Sequence, residues 1–236
     1  APRRRGEREP YAYNLESYVQ HVAEMRRAFE GRPRDRLAWV AARLGMGDLL
    51  ERAARLVLAL HDVGKLQVEW QKWAANYQKR VTGEEPPFLV AHTLSQTDEH
   101  RRIARQVRPK RPPHAGEGAF AAARILWEAL DGKNHPPLYR AAVMAIARHH
   151  SPLLQEARPY RLHPQAAEAV AGALVAVGDE TWRAWAQWLM TENEAPNLEK
   201  RLLPPPSSEE EWLGWMLYFV LVRILRLCDG LSQEEE

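Results

Sequence analysis

An all-α fold in a single domain is what this sequence predicts. Apolar residues recur every three or four positions along most of the chain, which is the spacing of one face of an α-helix. No stretch alternates apolar and polar residues as a half-buried strand would, and no internal repeat divides the chain. The chain has 236 residues, of which 45% are hydrophobic and 27% are charged, so it can bury a core of ordinary composition. This composition excludes a disordered tail and a disulfide-stapled miniprotein.

Four helices are predicted in the first third of the chain. Asn14 is a suitable N-cap for the first of them and Asp48 for the third. Gly45 ends the second helix, and Gly64 ends or bends the third. The predicted spans are residues 15–29, 37–44, 49–61 and 68–77.

Five more helices are predicted after the segments 82–87 and 109–113, whose Gly and Pro residues break helices. Ser208 and Glu211 have the spacing of a capping box at the start of the last one. Its apolar run is about half the roughly twenty residues that span a membrane, so we expect a buried core helix and no membrane partner. The predicted spans are residues 118–130, 138–150, 165–177 and 181–190, and a final helix that includes 212–222.

Cysteine content and charge narrow the class of protein. Cys228 is the only cysteine, which excludes an internal disulfide and a cysteine-cluster zinc site and suits a reducing cytoplasm. The N-terminus lacks the apolar core of a targeting signal, so we expect a cytoplasmic protein. The net charge of +2 is too small to indicate a nucleic-acid partner by itself. Residues 1–14 are rich in Arg, Glu and Pro and are interpreted as a basic arm or linker before a domain at 15–236.

The strongest local signal is the pair His61-Asp62 at the end of an apolar helix. A carboxylate buried there costs several kcal/mol unless it is paired or binds a cation. The two oxygens of one Asp can bridge two metal ions, whereas an imidazole serves only one. The dipeptide alone is a weak signal, because it occurs often by chance.

Other ligand-type residues follow the same pattern. Each lies near a helix end or beside an apolar stretch, and together with His61-Asp62 they come from five predicted elements. Imidazole and carboxylate are common ligands of transition metals. The additional residues are His21, His114, the tandem pair His149-His150, and Asp229.

The order of these residues resembles the HD-domain superfamily of metal-dependent phosphohydrolases, and within it the HD nuclease of type I CRISPR systems. Three motifs carry the second resemblance. They are the tandem His149-His150 followed by a small residue, the segment 114–119 (His-Ala-Gly-Glu-Gly-Ala), and the ending 225–231 around Asp229. The resemblance implies an HD-domain helical bundle over residues 15–236.

The resemblance also implies a site with two divalent transition-metal ions, namely Mn, Ni, Co, Fe or Zn. His21, His61, Asp62 and Asp229 resemble the ligands of the first ion, and Asp62, His114, His149 and His150 those of the second. Asp62 would bridge the ions and Lys65 would stand beside them as a second catalytic residue. A His-rich site suits these metals better than Mg, which prefers oxygen ligands.

The implied activity is hydrolysis of phosphodiester bonds in single-stranded DNA by a metal-activated water, as a step of CRISPR interference. The implied partners are a superfamily 2 helicase, in cis or in trans, and a crRNA-guided surveillance complex. The chain has no Gly-x-x-x-x-Gly-Lys-Ser/Thr loop, so strand separation must come from that helicase.

A run of basic residues leads directly to His114 and is a candidate track for a nucleic-acid backbone. A solvated charged surface is the alternative for such a run. Its members are Arg101, Arg102, Arg105, Arg108, Lys110 and Arg111. The helical spacing of Trp182, Trp185, Trp188, Trp212 and Trp215 favours core packing over base stacking.

Four histidines lie in predicted polar or Pro-bounded loops and are interpreted as non-ligands. They are His92, His100, His135 and His163. Two other functions remain open. One is an HD phosphohydrolase acting on nucleotides or cyclic nucleotides, which would have no use for the basic run. The other is a metal-stabilised docking module without catalytic activity.

Overall fold

Helices form most of the computed structural model, which describes residues 13–151 and 157–233. The α-helices are α1 (Tyr18–Phe29), α2 (Arg32–Leu44), α3 (Asp48–Leu60), α4 (Val68–Thr82), α5 (Asp98–Gln106), α6 (Ala115–Ala129), α7 (Pro136–Ala147), α8 (Ala166–Val177) and α9 (Glu209–Leu231). Short 3-10 helices lie at Val63–Leu66, Glu180–Trp188 and Glu199–Arg201. The predicted all-α class is confirmed. The predicted basic arm falls outside the described residues, apart from its last two positions.

Two small antiparallel pairs of strands accompany the helices. The strand β1 (Glu16–Ser17) pairs with β2 (Val90–His92), and β3 (Tyr160–Arg161) pairs with β4 (Glu192–Asn193). The sequence analysis found no strands because segments of two or three residues are too short to show an alternating pattern. The first pair matters for the site, since it ties the start of α1 to a segment more than seventy residues later.

Helix α1 begins later than the sequence predicts. Its N-cap is Ser17, whose side chain accepts a hydrogen bond from the backbone N–H of Gln20, and the preceding residues are extended. The prediction of Asn14 as the cap is therefore wrong. Helix α2 begins earlier than predicted, because Pro33 is tolerated in the first turn of a helix, where no backbone N–H is needed.

Helix α5 was not predicted at all. Its sequence was interpreted as a run of charges, but Thr97 caps it and accepts a hydrogen bond from the backbone of His100. His100 therefore lies on a helix and not in a loop. None of the residues of α5 is buried, which explains why apolar periodicity gave no signal.

The core surrounds α6 and α7. Helix α7 packs against α9, α6 and α3, while α8 packs against α1 and α3. Most residues of α6 and α7 are buried, and alanine is the commonest residue among them, which lets helix backbones approach closely. This packing brings the ends of α3, α7 and α9 and the start of α6 toward one region.

Helix α9 confirms the predicted capping box, because Ser208 and Glu211 exchange both side-chain-to-backbone hydrogen bonds. The prediction that its apolar run is buried holds for one face only. Trp212 is 59% exposed and Phe219 is 60% exposed, whereas Leu217 on the opposite face is buried. The prediction of core packing is therefore wrong for Trp212. The other four tryptophans of that set pack, partly buried, against the core.

Within residues 13–151 and 157–233, no helix combines the length and the apolar character that crossing a membrane requires.

Candidate metal centre

Asp62 lies at the centre of a buried cluster of histidines. It follows α3 and the cap residue His61, where the chain turns into the 3-10 helix Val63–Leu66. Its side chain is 1% exposed. An apolar helix whose last turn is fully buried thus carries the carboxylate into the interior of the domain.

One oxygen of Asp62 faces the predicted first set of ligands. Its Oδ2 atom lies 3.2 Å from Nε2 of His61 and 3.9 Å from Nε2 of His21, which is supplied by α1. The same His21 nitrogen lies 3.6 Å from Oδ1 of Asp229 near the end of α9. His21, His61 and Asp229 can therefore present one ligand atom each to a single cation.

The other oxygen of Asp62 faces the predicted second set. Its Oδ1 atom lies 3.4 Å from Nε2 of His114 and 3.7 Å from Nε2 of His149. His150 completes the group, with its Nε2 atom 2.8 Å from Nε2 of His114. Two imidazole nitrogens this close together require a shared proton or a cation between them. These four residues can also hold one cation.

Backbone carbonyls fix the rings of His61 and His149. The Nδ1 atom of His61 lies 3.0 Å from the carbonyl oxygen of Leu58, and that of His149 lies 2.6 Å from the carbonyl oxygen of Ile146. A carbonyl only accepts, so each Nδ1 donates a proton to it. When a ring is neutral, its Nε2 atom then faces Asp62 with the lone pair that a metal ion would use.

A close approach of two glycines sets the position of His114. His114 caps α6, and its carbonyl oxygen would lie 1.9 Å from a Cβ atom added to Gly64. A Cβ atom at Gly118 would in turn lie 2.8 Å from the backbone nitrogen of Gly64. The two backbones can touch only because both residues are glycine. The start of α6 therefore packs directly on the turn that carries Asp62.

Lys65 is buried beside the cluster, as a residue of the 3-10 helix. Its Nζ atom lies 2.6 Å from Oδ2 of Asp62. Burial by itself would raise the pKa of Asp62, but the charges of His61 and Lys65 hold it well below its ordinary value. Asp62 is thus a carboxylate, and burial lowers the pKa of His114 to about 4, so its ring is neutral near pH 7.

Several buried polar atoms in the cluster have no hydrogen-bond partner. An unsatisfied buried group costs about 1–3 kcal/mol, so this many in one place calls for a ligand. They are Nε2 of His21, His61 and His149, Oδ1 of Asp62 and Oδ1 of Asp229, whereas Oδ2 of Asp62 is paired with Lys65. Neutral imidazoles with ionised carboxylates are the donor set of a divalent transition metal. The residues therefore fit the metal that the sequence predicts, while their role as ligands stays a prediction.

Two buried residues of this region were missed by the sequence analysis. His92, interpreted as a loop residue, lies on β2 and is 8% exposed, and Glu16 on β1 is 5% exposed. Glu16 lies 3.0 Å from Nδ1 of His21. No local motif marks either residue, and only the pairing of β1 with β2 brings them to the site.

The basic run divides into two parts. Arg101 and Arg102 form ion pairs with Asp98 and Glu99 on their own helix, at 2.5 and 2.6 Å. Arg108 donates to backbone carbonyls, and Arg105 is exposed on α5. Only the end of the run reaches the cluster.

A cavity of about 1220 Å³ opens beside the second set of ligands. Lys110 and Arg111 from the basic run lie in its wall, together with His114 and His150. Arg158, which the sequence analysis did not single out, also lines it. His150 is the exposed member of its set, so the cluster is open toward this cavity.

A helical domain with a buried His-Asp pair and histidines from several helix ends has the features of an HD-type metal-dependent hydrolase. The model of the family described as "Cas3, HD domain" matches residues 6–218. The chain belongs to this family, which confirms the resemblance predicted from the motifs. Neither the curated proteins nor the solved structures gave a match. Membership places the chain among metal-dependent hydrolases of type I CRISPR systems that act on nucleic acid.

Proposed function

We propose that this chain is a nuclease that hydrolyses phosphodiester bonds of single-stranded DNA with two divalent transition-metal ions. The main observation in support is that the two carboxylate oxygens of Asp62 face two different groups of ligands. Its Oδ2 atom faces His61 at 3.2 Å and its Oδ1 atom faces His114 at 3.4 Å. A single carboxylate between two sets of imidazoles suits a pair of cations better than one.

Bound at these sets, two cations would clamp a phosphate and supply an activated water for attack on phosphorus. The chain's own residues have three tasks. Asp62 holds the two sets together and keeps its negative charge. The carbonyl partners of His61 and His149 keep the Nε2 lone pairs available. Lys65 supplies a positive charge at the site, where it can stabilise the charge that develops on the phosphate.

The cavity supports a polymeric substrate. Its wall has three cationic side chains, from Lys110, Arg111 and Arg158, against the two carboxylates of Glu69 and Glu117. The cluster is buried except for His150 and the partly exposed Asp229, so a strand must bend to bring a phosphate to it. A single strand bends easily, whereas a duplex is stiff over about 150 base pairs. A nucleotide or cyclic nucleotide would need neither the length of this cavity nor its three cations.

A single-stranded substrate would be produced by a separate helicase domain or protein. The 236 residues contain no nucleotide-binding Gly-x-x-x-x-Gly-Lys-Ser/Thr loop. We infer that a superfamily 2 helicase, in cis or in trans, supplies the strand. A crRNA-guided surveillance complex would select it, and the reaction would take place in the cytoplasm.

A cleavage assay with labelled oligonucleotides tests the proposal. The purified chain is incubated with single-stranded DNA, duplex DNA, dGMP and cyclic dinucleotides in Mn, Ni, Co, Fe or Zn. We expect cleavage of the single strand, its loss in Asp62→Ala, and no change in Asp35→Ala, an exposed aspartate of α2. Turnover of only the small substrates would favour the phosphohydrolase alternative. Bound metal without any turnover would favour the docking module.

A further inference from the structure

Glu16 connects two histidines at one side of the metal centre. The antiparallel pairing of β1 with β2 places Glu16 opposite His92. The Oε2 atom of Glu16 lies 3.0 Å from Nδ1 of His21 and 3.3 Å from Nδ1 of His92. One carboxylate oxygen is therefore shared by two imidazoles that come from α1 and β2.

Glu16 is buried and takes its polar contacts from the groups around it. Its Oε2 atom is within hydrogen-bond distance of Nδ1 of His21. The side-chain amide of Gln233 also approaches both Glu16 oxygens, at 3.4 Å. A carboxylate only accepts hydrogen bonds, so Nδ1 of His21 carries the proton. Nδ1 of His92 faces the same oxygen at 3.3 Å without the alignment of a hydrogen bond, and a proton on this atom is the arrangement that avoids two lone pairs facing each other.

This tautomer directs the other nitrogen of each ring into the cluster. With Nδ1 protonated, the lone pair of a neutral imidazole is on Nε2. The Nε2 atom of His92 lies 4.0 Å from Oδ2 of Asp62, the oxygen that His21 approaches at 3.9 Å.

We propose that His92 supplies an additional imidazole ligand to the first metal ion, with Glu16 as the positioning residue shared by His92 and His21. The inference rests on the proposed metal centre and replaces the sequence-based interpretation of His92 as a non-ligand with a different prediction. Such a carboxylate–histidine–metal arrangement fixes ring orientation and raises the basicity of the ligand.

A separate cation between Glu16, His21 and His92 is the other arrangement that these residues allow. It would have to use the Nδ1 atoms. A neutral imidazole has one lone pair, so His21 would then be lost to the first metal ion. The proposed arrangement satisfies Glu16 and leaves every Nε2 atom facing Asp62.

Nuclear magnetic resonance of ¹⁵N-labelled histidines in the wild-type chain, titrated with Zn²⁺, tests the inference on the unaltered site. Binding of Zn²⁺ moves the resonance of the coordinated nitrogen, and His92→Gln assigns the signal of His92. The five histidines of the predicted ligand set and His92 should each shift at Nε2. A shift of those five alone would overturn the role of His92, and a shift at Nδ1 of His21 would favour the separate cation.

Variants of Glu16 show how much this residue contributes to metal affinity. Co²⁺ binding, followed by the absorption spectrum and metal analysis, should weaken by about 10- to 100-fold in Glu16→Gln, the loss typical of such positioning groups. Glu16→Asp should recover part of it, and His135→Gln, which changes an exposed histidine, should match the wild type. Wild-type affinity and spectrum in Glu16→Gln would contradict the positioning role. Metal binding through His92 without cleavage of DNA would instead refute the proposed nuclease and leave this inference standing.

Discussion

Lys65 and Asp62 form a buried ion pair in which Nζ lies 2.6 Å from Oδ2. The same oxygen faces His61 and His21, so the ammonium group occupies space next to the proposed first cation. Lys65 thus competes with a metal ion for Asp62 and also adds positive charge where a phosphate would bind. These two effects have opposite consequences for metal affinity and for catalysis.

Lys65→Met should bind divalent metal more tightly than the wild type but cleave DNA more slowly, by about 10²- to 10³-fold. Tighter binding follows because a competing cation is removed from Asp62, and slower cleavage because the developing charge loses its partner. Metal titration and single-turnover cleavage measure the two quantities separately. Lys72→Met, an exposed lysine of α4, is the matched control. Parallel losses of affinity and rate in Lys65→Met would show that the residue is only structural.

Two residues of the basic run, Lys110 and Arg111, line the cavity, whereas Arg101 and Arg102 do not. Replacing Lys110 and Arg111 together by Ala should weaken binding of single-stranded DNA and lower the slope of log K against log salt by about two. The same change at Arg101 and Arg102 should have less effect, because Asp98 and Glu99 already pair with those residues. Fluorescence anisotropy at several salt concentrations gives both slopes. Equal slopes for the two double variants would mean that DNA binds a general charged surface and does not follow a defined path along the cavity.

Without metal, the chain should lose stability as the pH falls from about 6.5 toward 4. Burial holds the pKa of His114 at about 4 and that of His92 at about 3, against about 6.5 in the unfolded chain. In this range the unfolded state takes up protons that the folded state does not, so the free energy of unfolding decreases with falling pH. Each histidine contributes up to about 1.4 kcal/mol per pH unit.

His61 does not offset this loss. Burial lowers its pKa but the charge of Asp62 outweighs that effect and raises it, so its stabilisation disappears only as the pH rises above the ordinary value. Urea unfolding in EDTA across the range tests the prediction, with His114→Gln expected to show a shallower dependence. An identical pH dependence in the variant would mean that His114 is already charged in the folded state.

Gly64→Ala should destabilise the chain by about 1–3 kcal/mol or more, because its Cβ atom would meet the carbonyl oxygen of His114 at 1.9 Å. Relief of the clash must move the start of α6 away from Asp62, so the second ligand set should lose metal affinity as well. Thermal unfolding and metal titration measure the two effects. Gly31→Ala, where an added Cβ atom contacts nothing, is the control. If Gly64→Ala is less stable but binds metal as the wild type does, the contact between Gly64 and His114 does not position the second ligand set.

The family and the central residues of the site could be predicted because they are local in sequence. His61-Asp62 ends an apolar helix, His149-His150 follows another, and each such signal requires only a periodic stretch and its boundary. Helix α9 was found in the same way through its capping box. Whether these ends meet was a hypothesis at that stage, since spacing along the chain contains no information on how helices pack.

The remaining residues of the site reach it only through contacts between segments that are distant in sequence. Glu16 and His92 carry no motif and reach the cluster through the pairing of two strands that are too short to leave a pattern. Arg158 reaches the cavity in the same non-local way.

The sequence by itself determined the helical class and the family, and it predicted seven metal ligands that include neither Glu16 nor His92. Periodicity and residue chemistry are properties of single segments, which is why they can be detected without a structure. Only the tertiary structure decided that Oδ2 of Asp62 faces His61 while Oδ1 faces His114. It also decided that Glu16 is shared by two rings. Orientation and pairing of this kind depend on how α1, α3, α6 and β2 pack together, which no single segment specifies.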